Sequence, residues 1–544
     1  MFHHKTNFFQ MVIAIASLLL LNGLACAGSG APAQVPVQQD AKSEAPKPES
    51  VKKEKNDAPA EGYAVQPQAT AAAAPSPPPS TGGEKVPNDK PYDATFFQNY
   101  GVNPFIDTED DHLSTFALDV DTGSYTIARR FVNDGNLPDK DAIRVEEFVN
   151  YFAQDYPYPK EQAFAIYMDA AAAPYTENER YRMLRVGLQG YAVPMEERKS
   201  MALTFVIDVS GSMEQENRLG LVKKSLELLV EQLRAQDTVA IVVYGTTAHN
   251  ILEPTSGANQ EVILRAINAL NPEGSTNAEA GLNLGYKQAL AAFKAGGINR
   301  VILCSDGVAN VGNTGAGSIW ETIKNRASEG ITLTTLGFGM GNYNDVLMEQ
   351  LADNGNGFYA YIDTLQEAKR LFLENLTSTM QVIAMNAKLQ VDFNPEVVSR
   401  YRLVGFENRA VADEKFRDDT VDAGEIGAGH KVTALYELKL NPEAKGKVAT
   451  VYLRWEDPDS HQVTEINQSF DSSRMATNFS EAAPRFQLDV LVAEYAEILR
   501  QSYWAQNSSL SGLLEESQRV GRLFPEDRDV TEFVELVQKA ASIK

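Results

Sequence analysis

Between Ala202 and about Leu365 the hydrophobic positions switch repeatedly between two periods. Continuous apolar, β-branched runs read as strands buried on both faces: Ala202–Ile207, Thr238–Tyr244, Val301–Ser305, Ile331–Phe338 and Gly357–Tyr361. Helical spacing separates them. Leu219, Val222, Leu226, Leu229, Val230 and Leu233 share one face of a helix over Arg218–Leu233. Further helices are expected over Glu261–Leu270, Ala278–Phe293, Trp320–Ser328, Asp345–Ala352 and Leu365–Met380. Alternating strands and helices predict a doubly wound α/β domain with a mostly parallel sheet and right-handed crossovers, spanning 199–382.

Strand-like alternation flanks that domain on both sides. Ala163–Met168 and Met183–Leu188 precede it; Ala387–Phe393, Tyr401–Phe406, Lys431–Lys439 and Ala449–Trp455 follow it. Either half alone leaves few strands with long open edges, which is unfavourable. A β-sandwich built from 93–198 and 383–470, with the α/β domain inserted between them, resolves the difficulty. The remainder, 471–544, is expected to be helical. Its segment Phe486–Leu499 sets Leu488, Leu491, Val492, Tyr495 and Leu499 on one face.

The first residues read differently. His3, His4 and Lys5 precede an apolar run, Met11–Leu21, too short to span a bilayer, and small residues follow, so 1–27 reads as an export signal. Leu24-Ala25-Cys26 resembles a bacterial lipobox, with lipidation at Cys26 the favoured outcome. Cleavage after Ala27, giving a soluble protein that starts at Gly28, is the alternative. Residues 28–92 are rich in Ala, Pro, Gln, Lys and Glu and cannot bury a core, which makes them a tether. That leaves Cys304, inside an apolar strand, as a small core residue with no disulfide partner. The formal net charge of −24 falls mostly on the folded part and disfavours nucleic acid and anionic lipid as partners.

Candidate chemistry gathers at the ends of three apolar runs. Asp208-Val-Ser210-Gly-Ser212 follows the first strand, Gly274-Ser-Thr276-Asn277 opens a helix, and Asp306-Gly307 ends the strand from Val301. In an open parallel sheet such ends converge outside one edge. Carboxylates with hydroxyls suit a hard divalent cation. The set resembles the metal-ion-dependent adhesion site of the von Willebrand factor A domain at all five positions. The resemblance implies Ser210, Ser212 and Thr276 as oxygen ligands, with Asp208 and Asp306 acting directly or through water. Mg²⁺ is the implied ion, with Mn²⁺ or Ca²⁺ as alternatives. The stretch from Asn103-Pro-Phe105 to Tyr151-Phe152, and that from Phe486 to Leu536, resemble the accessory regions of exported bacterial proteins carrying such a domain.

Two classes of function compete. The first is a non-enzymatic binding module of the cell envelope, lipid-anchored or secreted, whose cation takes an acidic side chain from a protein partner. The second is a hydrolase, either metal-dependent or of aspartic type. Leu118-Asp-Val-Asp121-Thr-Gly-Ser124 matches the aspartic-protease string, but that chemistry needs two such carboxylates and no second Asp-Thr-Gly or Asp-Ser-Gly occurs. Asp121 and Ser124 are expected to cap a helix over Tyr125–Val132 instead. His249 is read as a surface residue at a strand end, not a general base.

Overall fold

The computed structural model describes residues 97–543, apart from 177, 215–217, 308–315, 340–342 and 422. The expected export signal, Cys26 and the expected tether therefore lie outside the described residues.

Before the central domain come β1 (Ile106–Asp107), β2 (Leu113–Ala117), α1 (Gly123–Asn133), α2 (Val145–Tyr151), β3 (Phe164–Ala172) and β4 (Tyr181–Gly190). The central domain then runs β5 (Met201–Asp208), α3 (Leu219–Val230), β6 (Thr238–Tyr244), β7 (Ala248–Ser256), α4 (Gln260–Asn268), α5 (Ala278–Ala291) and β8 (Ile298–Ser305). It continues through α6 (Ala316–Ser328), β9 (Ile331–Phe338), α7 (Asp345–Asn354), β10 (Tyr359–Ile362), α8 (Leu365–Lys369) and α9 (Leu376–Met380). Its six strands lie in the order β10-β9-β8-β5-β6-β7, parallel except for the β6–β7 hairpin at one edge. The central strands β5 and β8 are buried at every residue, which is why their sequences are continuously apolar. Sequence reading missed β7 because its positions are largely half-exposed and polar, so no apolar run marks it.

After the domain come β11 (Val382–Phe393), β12 (Val398–Val404), β13 (Gly424–Gly427), β14 (Lys431–Leu440), β15 (Lys447–Glu456), β16 (Val463–Asp471), α10 (Pro484–Leu499), α11 (Leu510–Gly521) and α12 (Arg528–Ser542). Strands from both sides of the insertion share sheets. One sheet runs β1-β12-β14-β4-β3; the other runs β13-β11-β15-β16, with β2 also paired to β11. Phe116, Leu184, Val391, Leu453 and Trp455 meet in the core between them. A helical core lies beside it, where α1 and α2 pack with the terminal helices through Tyr125, Phe148, Leu491, Tyr495 and Phe533.

Two expectations need correction. The helix expected over Leu365–Met380 is interrupted: a π-helical turn at Arg370–Glu374 separates α8 from α9. A widened turn of this kind often marks a residue with work to do outside the helix, and here Arg370 reaches Asp529 and lies 3.8 Å from the centre of the Tyr151 ring. Nor do Asp121 and Ser124 cap α1. Its N-cap position is Thr122, without a side-chain bond, and Asp121 and Ser124 are engaged elsewhere.

Candidate cation site at the carboxyl edge of the sheet

Strand β5 ends at Asp208, and the chain turns so sharply that Ser210 donates its amide back to Asp208 Oδ1 at 2.8 Å. The same turn brings the Ser210 and Ser212 hydroxyls to 3.0 Å from each other. The neighbouring strand β8 ends at Ser305, whose hydroxyl donates to Asp208 Oδ2 at 3.3 Å, and Asp306 follows at once. Asp208, Ser210 and Asp306 are buried, whereas Gly211, Glu214, Gly274 and Ser275 form an exposed rim. The floor is dry and the mouth is wet.

Thr276 stands on the loop before α5, whose N-cap is Asn277. That loop is tied to the Asp208 turn by two backbone bonds, Gly211 N to Gly274 O at 3.0 Å and Glu273 N to Val209 O at 2.5 Å. Gly274 has φ +70°, and a Cβ there would come within 2.0 Å of Thr246 Oγ1. Only glycine fits both conditions. Four of the five predicted residues thus lie on the two adjacent strand ends, and the fifth lies on a loop bonded to them.

The electrostatics favour a cation. Burial, together with the Asp306 charge, pushes the Asp208 carboxyl up to about 7. Two carboxylates this close and this dry are stabilised by a positive charge between them. Among the described residues no three His, Cys, Asp or Glu side chains are grouped as a metal site, so a cation here depends on the hydroxyls as well. An all-oxygen donor set with two carboxylates fits Mg²⁺ chemistry.

Arg218 is a site residue that sequence reading did not single out. One of its terminal nitrogens, Nη1, donates to Asp306 Oδ2 and to the Ser212 carbonyl, each at 2.7 Å. A signal was available: Arg218 opens α3, and the positive end of a helix disfavours a cation unless an anion holds it. Ser305 was likewise read only as strand. His249 is half-exposed on β7, its Nε2 lying 3.5 Å from Glu273 Oε1 at the rim. Cys304 is buried, and burial pushes its thiol up.

This parallel sheet, with an Asp-x-Ser-x-Ser turn beside an Asp-Gly strand end, defines a von Willebrand factor type A domain, and the family model of that description matches residues 202–377. Two more models flank it: "von Willebrand factor" over 91–184 and "Uncharacterized protein YfbK, C-terminal" over 378–543. The chain belongs to the YfbK family. It is 38% identical to YfbK of Escherichia coli (strain K12) over 474 residues, 82% of this chain and 81% of that one. Protein sll0103 of Synechocystis is 26% identical over 304 residues, 55% of this chain and 70% of that one. Among solved structures, a von Willebrand factor type A protein from Catenulispora acidiphila aligns with 14% identity over 68% of this chain and 84% of that chain, at a TM-score of 0.38. A type A domain fits an adhesion or protein-interaction module. Among the described residues no helix is long and apolar enough to cross a membrane.

Proposed function

We propose that the chain is a non-catalytic, cation-dependent protein-binding module of the cell envelope. The observation that carries this reading is the buried Asp208–Asp306 pair with the Ser210 and Ser212 hydroxyls beneath an exposed rim. Asp208, Asp306, Ser210, Ser212 and Thr276 would hold the ion, with Mg²⁺ as the favoured species. When bound, the cation supplies the positive charge that attracts an acidic side chain of a protein partner. The chain's own residues do the remaining work. Ser305 and the Ser210 amide fix both oxygens of Asp208, and the Gly274 turn, bonded to Gly211, carries the loop on which Thr276 stands.

The geometry of Asp121 weighs against an aspartic hydrolase, because its Oδ1 accepts the amide of Tyr359. For the envelope, the support is the export signal with Cys26 as lipid anchor, and Cys26→Ser should move the protein from the membrane fraction to the soluble one. The cation reading is tested by thermal unfolding of the full chain in Mg²⁺, Mn²⁺ or Ca²⁺. At about a hundredfold excess over Kd the ion should stabilise by roughly 2.7 kcal/mol. Asp208→Ala and Asp306→Ala should abolish the gain. An unchanged melting curve across millimolar concentrations of all three ions would overturn the proposal.

A further inference from the structure

Resting on the cation reading above, we propose that Arg218 is a built-in counter-cation, which a divalent ion must displace from Asp306 in order to bind, so that this one residue sets the affinity threshold of the site. Three observations carry it. First, the contact is direct: Nη1 of Arg218 bridges Asp306 Oδ2 and the Ser212 carbonyl, both at 2.7 Å, on the two turns that supply the cation donors. Second, the pair is dry, with side chains only 3% and 1% exposed, so solvent screens neither the attraction between Arg218 and Asp306 nor the repulsion between Arg218 and an arriving ion.

Third, the guanidinium has a seat made for it. Gly339, at the end of β9, has φ +78°, and a Cβ there would lie 2.5 Å from Arg218 Cγ and 2.6 Å from its Nε. A side chain at 339 would push the arginine off its line to Asp306. Arg218 is therefore held by the fold from one side and by the carboxylate from the other.

The consequence is competition. Without Arg218 the buried Asp306 carboxylate would lose the charge-assisted bond that meets it at 2.7 Å. With it, one carboxylate is already neutralised, and a divalent ion must share or take Asp306. The alternative role, in which Arg218 merely orients Asp306 for the ion, predicts the opposite sign, and that makes the two separable.

The experiment is calorimetric titration of the full chain with MnCl₂ and MgCl₂ at pH 8, for wild type, Arg218→Met and Arg218→Lys. Competition predicts that Arg218→Met binds at least roughly tenfold more tightly than wild type, because close charge pairs couple by that factor or more. Arg218→Lys, which keeps the charge on a shorter arm, should fall between them. Equal or weaker binding by folded Arg218→Met would overturn the proposal and make Arg218 a positioning residue for Asp306. Should Arg218→Met not fold, a crystal structure of the wild type soaked in MnCl₂ decides. Competition predicts Arg218 Nη1 withdrawn from Asp306, and a retained contact with the ion bound overturns it. No binding by wild type or by any folded variant would instead remove the cation reading itself, and this proposal with it.

Discussion

Arg129 should be the strongest single link between the inserted domain and its host. It lies on α1, before the insertion, yet its guanidinium holds Asp363 through two bonds, at 2.8 and 2.6 Å, and Glu367 at 3.0 Å, on the last turns of the type A domain. The three side chains are 3%, 1% and 8% exposed. A fourth contact, to Glu532, is 38% exposed and contributes little. Arg129→Met keeps the stem and removes the charge, stripping Asp363 of the guanidinium that held it and leaving Glu367 with the Arg370 charge nearby. Breaking a buried pair costs about 3–5 kcal/mol. An independent bound comes from protonation of Glu367, whose carboxyl burial already raises: it can escape by taking a proton, and moving one Glu from about 4.3 to pH 7 costs about 3.7 kcal/mol. The two figures agree, and the second fixes the pH dependence. In the variant the folded Glu367 carboxyl holds its proton more tightly than the unfolded one, because burial raises it and Arg129 no longer opposes that. The penalty is therefore absent below about pH 4 and grows as pH rises to 7. Urea unfolding at pH 5 and pH 7 reads this directly. Arg129→Met should lose about 3–5 kcal/mol at pH 7 and under half of that at pH 5. Adding Asp363→Asn and Glu367→Gln should recover most of the loss. A loss below about 1 kcal/mol, equal losses at both pH values, or no recovery would refute the reasoning.

The remaining predictions concern the site and its neighbours. Stabilisation by Mg²⁺ should be full above about pH 7 and fade below it in thermal unfolding, because burial and Asp306 raise Asp208 to about 7 and a proton there competes with the ion. Gly274→Ala should cost at least about 1–2 kcal/mol for the left-handed backbone alone. It should also weaken the cation response, since the Thr276 loop must shift to clear Thr246. Asp121→Ala should lose about 1–3 kcal/mol by stranding the Tyr359 amide, whereas Asp121→Asn, which keeps an acceptor, should remain within about 1 kcal/mol of wild type in urea unfolding.

Legibility in the sequence followed burial. Strands such as β5 and β8, enclosed on both faces, announce themselves as apolar runs, and their order predicted the α/β class. The sandwich was legible only indirectly, from the cost of leaving edges open, because β4 and β14 are paired across more than two hundred positions, Gly190 to Lys431, that no local pattern spans. The amphipathic β7 and the break inside Leu365–Met380 left no such trace. The break answers to Arg370, whose partners Tyr151 and Asp529 are remote in sequence. In the candidate site, Asp208, Ser210, Ser212 and Asp306 were legible because a short turn after an apolar run fixes where they point. Arg218 was marked only by its place at the start of α3, and its anion could not be named because it lies 88 residues away.

Asp121 and Asp208 show why a short string alone does not assign chemistry. Each is a buried aspartate followed by a hydroxyl and a glycine, and burial raises both carboxyls above the usual range. Their surroundings separate them. Asp208 faces a second carboxylate and two serine hydroxyls under an exposed rim. Asp121 faces the edge of a sheet. Strand β10 is the outermost parallel strand, so its outward amides and carbonyls need partners that no further strand among the described residues provides. Asp121 Oδ1 accepts the Tyr359 amide at 3.1 Å, and two residues along β10 Thr126 Oγ1 donates to the Tyr361 carbonyl at 2.8 Å. The Asp121–Thr126 segment therefore closes that sheet edge with side chains in place of a seventh strand. The motif belongs to the host and its ligands belong to the insert, which ties the inserted domain to the segment that precedes it without any catalytic role for the carboxylate.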